Sequence, residues 1–251
     1  MSQKSNPVGL RIGLNKNWNS RWTVNDGKTI GKNLVADEKI RKYFYKTYNE
    51  AQVVSVEIER KTKKNSFDIE KQDLIDVYVT CGQVGFFDEE IRKKATLEIQ
   101  KIVGRKVKVN LVIVLHENVW WSARVVARKI ADDIENRVPF RVAMKNAVKN
   151  VMMSKALGVK VKASGRLGGV EMARDESYSE GTIPLSTFRC DLDYAHEISQ
   201  TVLGSIGVKV WINRGEIFEK GLNNQIKPTK FVAQERRKFN TNPNAKKGGN
   251  K

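Results

Sequence analysis

The sequence predicts an α+β protein of two domains. Stretches whose apolar residues recur with the period of a helix are interleaved with stretches that alternate apolar and polar residues, as strands do. One set of such elements runs to residue 117, and another starts at residue 118. With 251 residues, of which 40% are hydrophobic, the chain can fill two small cores.

The first domain is predicted to begin with a helix. Residues 40–48 carry an apolar stripe after an acidic first turn at residues 37–38. Two strands follow, because residues 54–58 alternate apolar and polar side chains and residues 74–79 are rich in β-branched and apolar types. The polar segment over residues 61–66 predicts a turn that joins the two strands into a hairpin.

A loop with two glycines, Gly82 and Gly85, then leads into an amphipathic helix over residues 91–102 and a strand over residues 107–115. The complete order is α-β-β-loop-α-β. This order resembles a KH domain of the second type, in which a Gly-x-x-Gly loop clamps the backbone of single-stranded nucleic acid. Residues 17–117 are therefore interpreted as a type II KH domain.

Residues 118–215 are predicted to form an α+β domain with helices packed on a small sheet. One helix has an apolar stripe over residues 123–134 and ends before Pro139, because the residue that precedes a proline is pushed out of helical geometry. A second helix covers residues 140–152. Strands are expected at residues 159–163, 187–192 and 208–212, with a turn at 164–169 and a short helical stretch at 195–203.

The charge of the chain predicts a polyanionic partner. The sequence holds 46 Lys and Arg against 28 Asp and Glu, for a net charge of +18. Each basic side chain that meets a phosphate releases a condensed counterion, which favours binding. Residues 1–16 are expected to form an amino-terminal arm. Residues 216–251 are expected to form a basic tail, with too few apolar residues to fold alone.

An anionic membrane is the main competing partner, and the sequence does not favour it. The longest wholly apolar run, Leu111 to Leu115, is far shorter than the roughly 20 residues of a spanning helix. The first seven residues lack the apolar core of a signal peptide. We therefore expect no membrane partner and a cytoplasmic location.

A row of basic residues is the most informative local feature. Arg141, Lys145 and Lys149 are spaced four residues apart on the helix that follows Pro139, so they stand about 6 Å apart along its axis. This pitch is close to the spacing of phosphates along an extended strand. A solvated helix face would have the same spacing, but the net charge favours contact with RNA.

No pattern in the sequence indicates an enzyme, a cofactor or a metal site. Residues 27–33 resemble a phosphate-binding loop, but the spacer is one residue short and Asn replaces the Ser or Thr that would hold magnesium. His116 and His196 lie in no metal-ligand spacing and beside no nucleophile. Cys81 and Cys190 are too few for a disulfide framework and are expected to be buried. No small-molecule substrate is expected.

Several blocks of sequence resemble the S-three family of the small ribosomal subunit. The stretch from Gln3 to Gly13, followed by residues 18–22, is similar to the opening of the bacterial members. The family's carboxy-terminal domain is similar to residues 164–174, 180–185, 191–194 and 204–212. With the order of elements between them, these blocks cover nearly the whole chain before the tail.

The resemblance implies a place in the head of the small subunit. The implied partners are 16S-type ribosomal RNA, the neighbouring head proteins S-ten, S-fourteen and S-two, and messenger RNA at the channel where it enters. In the family that channel surface carries two adjacent arginines and a lysine three residues on. The matching positions are Arg141, Val142 and Lys145, so one charge is lost, and Lys149 is predicted to substitute in part. Contacts with ribosomal RNA are expected from Lys4, Arg11, Arg21 and Arg166.

The chain departs from the family at the KH loop. In one register the family's Gly-Lys-Lys-Gly falls on Gly85-Phe86-Phe87-Asp88, and in another the two glycines are Gly82 and Gly85, with no basic residue between them. In both, acids at residues 88–90 stand at the positive end of the next helix and oppose an anion there. We predict that this degenerate loop does not grip an RNA backbone and that Phe86 and Phe87 pack against protein.

Two other functions remain to be weighed. A free-standing KH regulator of messenger RNA would explain the charge and the first domain, but it leaves the carboxy-terminal resemblance without a purpose. An RNA-cleaving enzyme would need a catalytic cluster, and the sequence offers none.

Overall fold

The computed structural model describes residues 5–63, 72–104 and 107–218. Lys4, half of the predicted turn at residues 61–66 (residues 64–66) and nearly all of the basic tail lie outside the described residues. The described part contains helices and strands in two successive sets, and its α+β class is as predicted.

The first set surrounds one sheet. Its elements, in order, are β1 (Ser20–Arg21), α1 (Gly27–Thr47), β2 (Val53–Lys63), β3 (Gln72–Cys81), α2 (Glu89–Val103) and β4 (Lys108–Leu115). The strands lie in the order β1-β2-β3-β4, with β2 antiparallel to β3 and both outer strands parallel to their neighbours. The hairpin and the α-β-β-loop-α-β order are confirmed, and β1 is an addition that the sequence pattern did not indicate.

Helix α1 starts ten residues before the predicted acidic first turn at Asp37. Its first residue is Gly27, because the Asp26 carboxylate accepts hydrogen bonds from the backbone N–H groups of Lys28 (3.3 Å) and Thr29 (3.2 Å). The interpretation of Asp37 as an acid of the first turn is wrong. Asp37 lies in the middle of the helix and is fully buried.

The second set surrounds another sheet. Its elements are α3 (Ala123–Glu135), α4 (Phe140–Met153), β5 (Gly158–Gly165), β6 (Arg174–Gly181), β7 (Cys190–Thr201) and β8 (Gly204–Glu216). The strands lie in the order β6-β5-β8-β7, and every neighbouring pair is antiparallel. Both helices pack on one face, against the apolar side chains of β5 and β8.

The predicted helical stretch at residues 195–203 is wrong, because residues 195–201 belong to strand β7 and residues 202–203 form the turn that follows it. Its inward side chains include Ala195 and Ser199, which are buried, whereas His196 and Ile198 point outward and are exposed. The strand pairs with β8 along its whole length, from Cys190 opposite Glu216 to Thr201 opposite Gly204. Those ladder hydrogen bonds override the weak local preference for a helix.

The two sets of elements have separate hydrophobic cores. The first core is built around Ile40, Phe44 and Ile99, and the second around Ile130, Met144 and Ile212. No buried residue belongs to both clusters among the described residues. The chain passes from one core to the other between Leu115, where β4 ends, and Ala123, where α3 begins.

Candidate nucleic-acid interface

Helix α4 presents its basic residues on the side that faces away from the core. Its buried residues are Ala143, Met144, Ala147, Val148 and Val151, which recur with the helical period. Arg141, Lys145 and Lys149 are all exposed, and we call them the α4 row. The structure therefore brings these three predicted residues together on one surface, about 6 Å apart along the helix.

Strand β6 adds to the α4 row a cation and an anion that the sequence analysis missed. Arg141 donates from Nε (3.3 Å) and Nη2 (3.1 Å) to the two carboxylate oxygens of Glu176. The Arg174 guanidinium lies 3.2 Å from the same carboxylate. The hydrogen bond from Arg141 lowers the pKa of Glu176, so Glu176 stays charged and offsets part of the row. Apart from Tyr178, β6 has only polar residues and glycine, so its sequence gave no strand signal that could have placed these residues beside α4.

The middle of the α4 row rests on an aromatic ring. Lys145 Nζ lies 5.7 Å from the centroid of Tyr178, which itself packs partly against the second core. Val142 is 48% exposed on the same side of the helix, so an apolar side chain stands where the resemblance implies a second arginine. The row thus has a charge gap at Val142, with Lys149 one turn beyond Lys145.

The loop that the sequence predicts to be a degenerate KH loop is packed against protein in this structure. Phe87 is 2% exposed, and its ring lies 5.1 Å from that of Tyr48 and 6.1 Å from that of Phe86. The prediction that Phe86 and Phe87 pack is confirmed. A Cβ atom on Gly82 would stand 2.6 Å from a methyl carbon of Val119, so this glycine is needed for close packing with the segment that leads to α3.

The amino-terminal end of α2 is unsuited to a phosphate. Asp88 precedes the helix as its N-cap, and Glu89 and Glu90 occupy its first turn. These carboxylates already occupy the positive end of the helix dipole, where an incoming anion would be repelled. That no RNA backbone binds at this loop stays a prediction, and this arrangement is in its favour.

The expectation that Arg11 contacts RNA is wrong, because its side chain is fully buried. Its Nε donates to the carbonyl of Cys190 (2.9 Å) and its Nη1 to that of Pro7 (2.9 Å). Its Nη2 donates to the carbonyl oxygens of Leu185 (3.2 Å) and Thr187 (2.9 Å). Burial lowers the pKa of Arg11 from its ordinary value. Arg11 therefore docks the arm onto the second unit.

Two other predicted contacts with ribosomal RNA have protein partners. Arg21 on β1 pairs with Glu57 (2.6 Å) and Glu59 (3.3 Å) of the neighbouring strand. Arg166 donates from Nε to the carbonyl of Val170 (2.9 Å) and from Nη1 to that of Leu203 (3.0 Å). Both brace local structure, and their contacts with RNA stay predictions. Lys4 lies outside the described residues.

A cleft of about 940 Å³ lies between α1 and α3. Arg124 from α3 stacks over the ring of Tyr45 from α1, 3.4 Å from its centroid, and also pairs with Glu197 (3.1 Å). Arg128 pairs with Asp132 (2.6 Å). Lys42, Arg124 and Arg128 are thus paired with carboxylates of the protein itself, and the cleft is a junction between the two units.

The described residues offer no metal-binding cluster. Within residues 5–63, 72–104 and 107–218, no group of three or more His, Cys, Asp or Glu side chains could hold a metal ion. Cys81 and Cys190 are buried as expected, and burial raises the pKa of the Cys81 thiol to about 11. In the part of the chain that the structure describes, no helix is long and apolar enough to cross a membrane.

Comparison with known proteins agrees with the resemblance. A family model described as "Ribosomal protein S3, C-terminal domain" matches residues 130–212. The chain is 47% identical over 226 residues to small ribosomal subunit protein uS3 of Mycoplasma pneumoniae, covering 89% of this chain and 79% of that protein. The uS3 protein of Mycoplasmoides gallisepticum is 48% identical, and the match covers 88% of this chain and 81% of that protein. The uS3 protein of Clostridioides difficile is 41% identical, with 86% and 77% covered.

Proposed function

This chain belongs to the family of small ribosomal subunit protein uS3, and on that premise we propose that its α4 row contacts messenger RNA where the strand enters the small subunit. The chain is a structural, non-enzymatic constituent of the small ribosomal subunit in the cytoplasm. Its partners are therefore ribosomal RNA and other ribosomal proteins.

The exposure of the α4 row is the observation that carries the proposal. Arg141, Lys145 and Lys149 stand on one solvent-facing side of a helix whose other side is buried, so packing of the helix fixes the spacing of their Cα atoms. Arg174 extends the positive surface from α4 onto β6. Such a line of cations at a pitch of about 6 Å suits the phosphates of an extended RNA strand, and it grips without reading the bases.

Val142 makes this surface weaker than one with three cations near the start of the helix. Lys149 adds charge one turn beyond Lys145, where it can contact the next phosphate of an extended strand. We therefore propose that Lys149 compensates in part for Val142. The side chain of Val142 is 48% exposed, so an arginine there would fit without disturbing the core.

The remaining surfaces serve attachment to the subunit head. The proposed rRNA contacts include Arg21, Arg166 and Lys4, and the proposed protein neighbours are S-ten, S-fourteen and S-two. The first unit, residues 17–117, is proposed to be a type II KH domain whose loop has lost its phosphate-binding role. Its packed phenylalanines and its acidic helix start support that assignment.

Binding to a short fluorescent oligouridine tests the role of the α4 row. Replacing Arg141, Lys145 and Lys149 together by Gln should lower the affinity of the full chain about tenfold at low salt. It should also reduce the slope of log K against log salt by about 2, because each phosphate contact to a single strand contributes roughly 0.7. Val142→Arg should raise the affinity and increase the salt slope, because it adds a phosphate contact.

A charge-matched control replaces the exposed lysines Lys39, Lys94 and Lys108 by Gln and should leave the salt slope nearly unchanged. Small subunits assembled with the α4-row variant should translate a message with a stable hairpin more slowly, and an unstructured message at the normal rate. Equal slowing on both messages, or equal effects of the two triple variants on oligouridine binding, would overturn the proposal.

A further inference from the structure

The sheet of the second unit has a second face, opposite α3 and α4. Val159, Val161 and Val210 point towards the helices and are buried. Side chains alternate along a strand, so their neighbours point the other way. The residues that gather on this opposite face around a small pocket are Lys160, Lys162, Ser177, Tyr194, Lys209 and Trp211.

The strand register places like charges directly opposite each other on this face. On the antiparallel pair of β5 and β8, Lys162 faces Lys209 and Lys160 faces Trp211. Directly opposite side chains in such a pair have Cβ atoms about 5 Å apart, and like charges there destabilise the sheet. Asp175 offsets part of this charge, because its carboxylate lies 2.5 Å from Lys162 Nζ. The described lining of the pocket contains these three lysines and no acid, with Asp175 beside it.

The pocket between these residues has the composition of a nucleotide site. Its volume is about 320 Å³. Tyr194 and Trp211 form one wall, with ring centroids 5.3 Å apart, and the lysines and the Ser177 hydroxyl supply donors for phosphate oxygens. Ser5 of the arm lines the rim, and the arm is held in place by the buried Arg11. Arm docking therefore helps to shape the pocket.

This face is separated from the α4 row by strand β6. Glu176 and Tyr178 point to the side of α4, where they contact Arg141 and Lys145. Ser177, between them in sequence, points to the opposite side and lines the pocket. An RNA strand that lies along the α4 row would therefore have to cross the edge strand β6 to reach the pocket.

We propose that the pocket on the outer face of the second sheet binds the sugar–phosphate backbone of RNA, as a contact distinct from the α4 row. The proposal rests on the assignment of this chain to an RNA-bound ribosomal family and adds a surface to it. Lysine contacts to phosphates would make this site sensitive to salt and tolerant of sequence. Tyr194 supplies a surface for a ribose or a base.

The test uses an oligouridine long enough to cross β6 and contact both surfaces at once, and it compares two full-length variants that lose the same charge. Lys160→Gln/Lys162→Gln/Lys209→Gln should weaken binding to the oligouridine about tenfold at low salt and lower the salt slope by about 2. The Lys39/Lys94/Lys108 control should cause little change. Combined with the α4-row substitutions, the loss should be multiplicative, because the two surfaces are separate.

Lysine acylation, read by mass spectrometry, gives a second measurement on the unaltered chain. Oligouridine should protect Lys162 and Lys209 from the reagent and leave Lys39 reactive. If the pocket variant behaves as its control while the α4-row variant still loses affinity, this inference fails and the proposed function stands. If unaltered protein binds no oligouridine, both fail. Protection of Lys162 and Lys209 in assembled subunits but not by RNA would identify a protein partner and overturn the inference.

Discussion

At the scale of single residues, one buried carboxylate organises the start of the first unit. Asp37 accepts hydrogen bonds from Ser20 Oγ (3.0 Å) and Trp22 Nε1 (2.8 Å), and pairs with Arg60 (2.5 Å). It thereby joins α1 to the segment around β1 and to β2. The sequence suggests that Asp37 is an acid of the first helical turn, but in the structure it holds three segments of the first unit together.

Replacing Asp37 by Asn should destabilise the protein by about 3 kcal/mol, since it leaves the nearly buried Arg60 without its counter-charge. Urea denaturation followed by circular dichroism measures this change. Glu38→Gln is the matched control, because Glu38 is exposed and only pairs with Lys42 at 3.5 Å. It should shift stability by less than about 1 kcal/mol. Equal effects from both substitutions would contradict the structural role of Asp37.

Glu176 is a second single residue with a defined role, because its carboxylate neutralises part of the positive charge of the α4 row. Glu176→Gln should raise the affinity for oligouridine several-fold at low salt, because Arg141 and Arg174 lose the carboxylate that they share. Glu180→Gln makes the same change in net charge on the same strand, at an exposed residue, and should have a smaller effect. If the two variants bind RNA equally, the contact between Glu176 and the row has no bearing on RNA.

At the scale of elements, the link between β3 and α2 acts as a packing element of the first core. The short 3₁₀ turn Val84–Phe86 replaces the expected glycine loop and directs Phe87 into the first core. Tyr43, Phe44 and Tyr48 from α1 complete the aromatic cluster. Replacing both Phe86 and Phe87 by Lys would therefore disrupt folding as well as alter the charge. A change in the RNA affinity of that variant would not by itself reveal the role of the loop.

Phe87→Ala should destabilise the protein by about 3 to 4 kcal/mol, because it removes a fully packed ring and leaves a cavity. Urea denaturation again gives the change in unfolding free energy. Phe86→Ala should cost clearly less, since Phe86 is only partly buried at the edge of the same cluster. RNA affinity should be unchanged in Phe86→Ala, and a loss there would indicate that the loop retains a role in RNA binding.

At the scale of the whole molecule, the arm connects distant parts of the chain. Arg11 and Asn15 bind carbonyl groups around Cys190, and Lys16 lies within 3.6 Å of Asp191 and Asp193. Arg214 joins Asp193 to the carbonyl of Trp121 at the junction of the two units. The arm therefore belongs structurally to the second unit, although the first unit follows it in sequence.

Arg11→Lys should release the arm while keeping the net charge. Lysine lacks the planar fork that reaches several carbonyl groups, so those oxygens would stay buried without donors. Hydrogen exchange should speed up at the backbone amides of Gly13 and Lys16 in the arm. The exposed Arg92→Lys on α2 serves as control and should leave the arm protected. Unchanged exchange in Arg11→Lys would contradict the docking role.

The sequence by itself determined the α+β class, the order of most elements and the exposed α4 row. These features depend on the spacing of apolar residues along the chain and on the helix break at Pro139. Both are encoded by residues that are close together in sequence. Only the tertiary structure decided that residues 195–201 form a strand, that polar β6 places Glu176 and Arg174 beside α4, and that Arg11 and Asp37 are buried. Ladder hydrogen bonds and ion pairs between distant residues decide those outcomes, and local sequence carries no signal for partners that lie far along the chain.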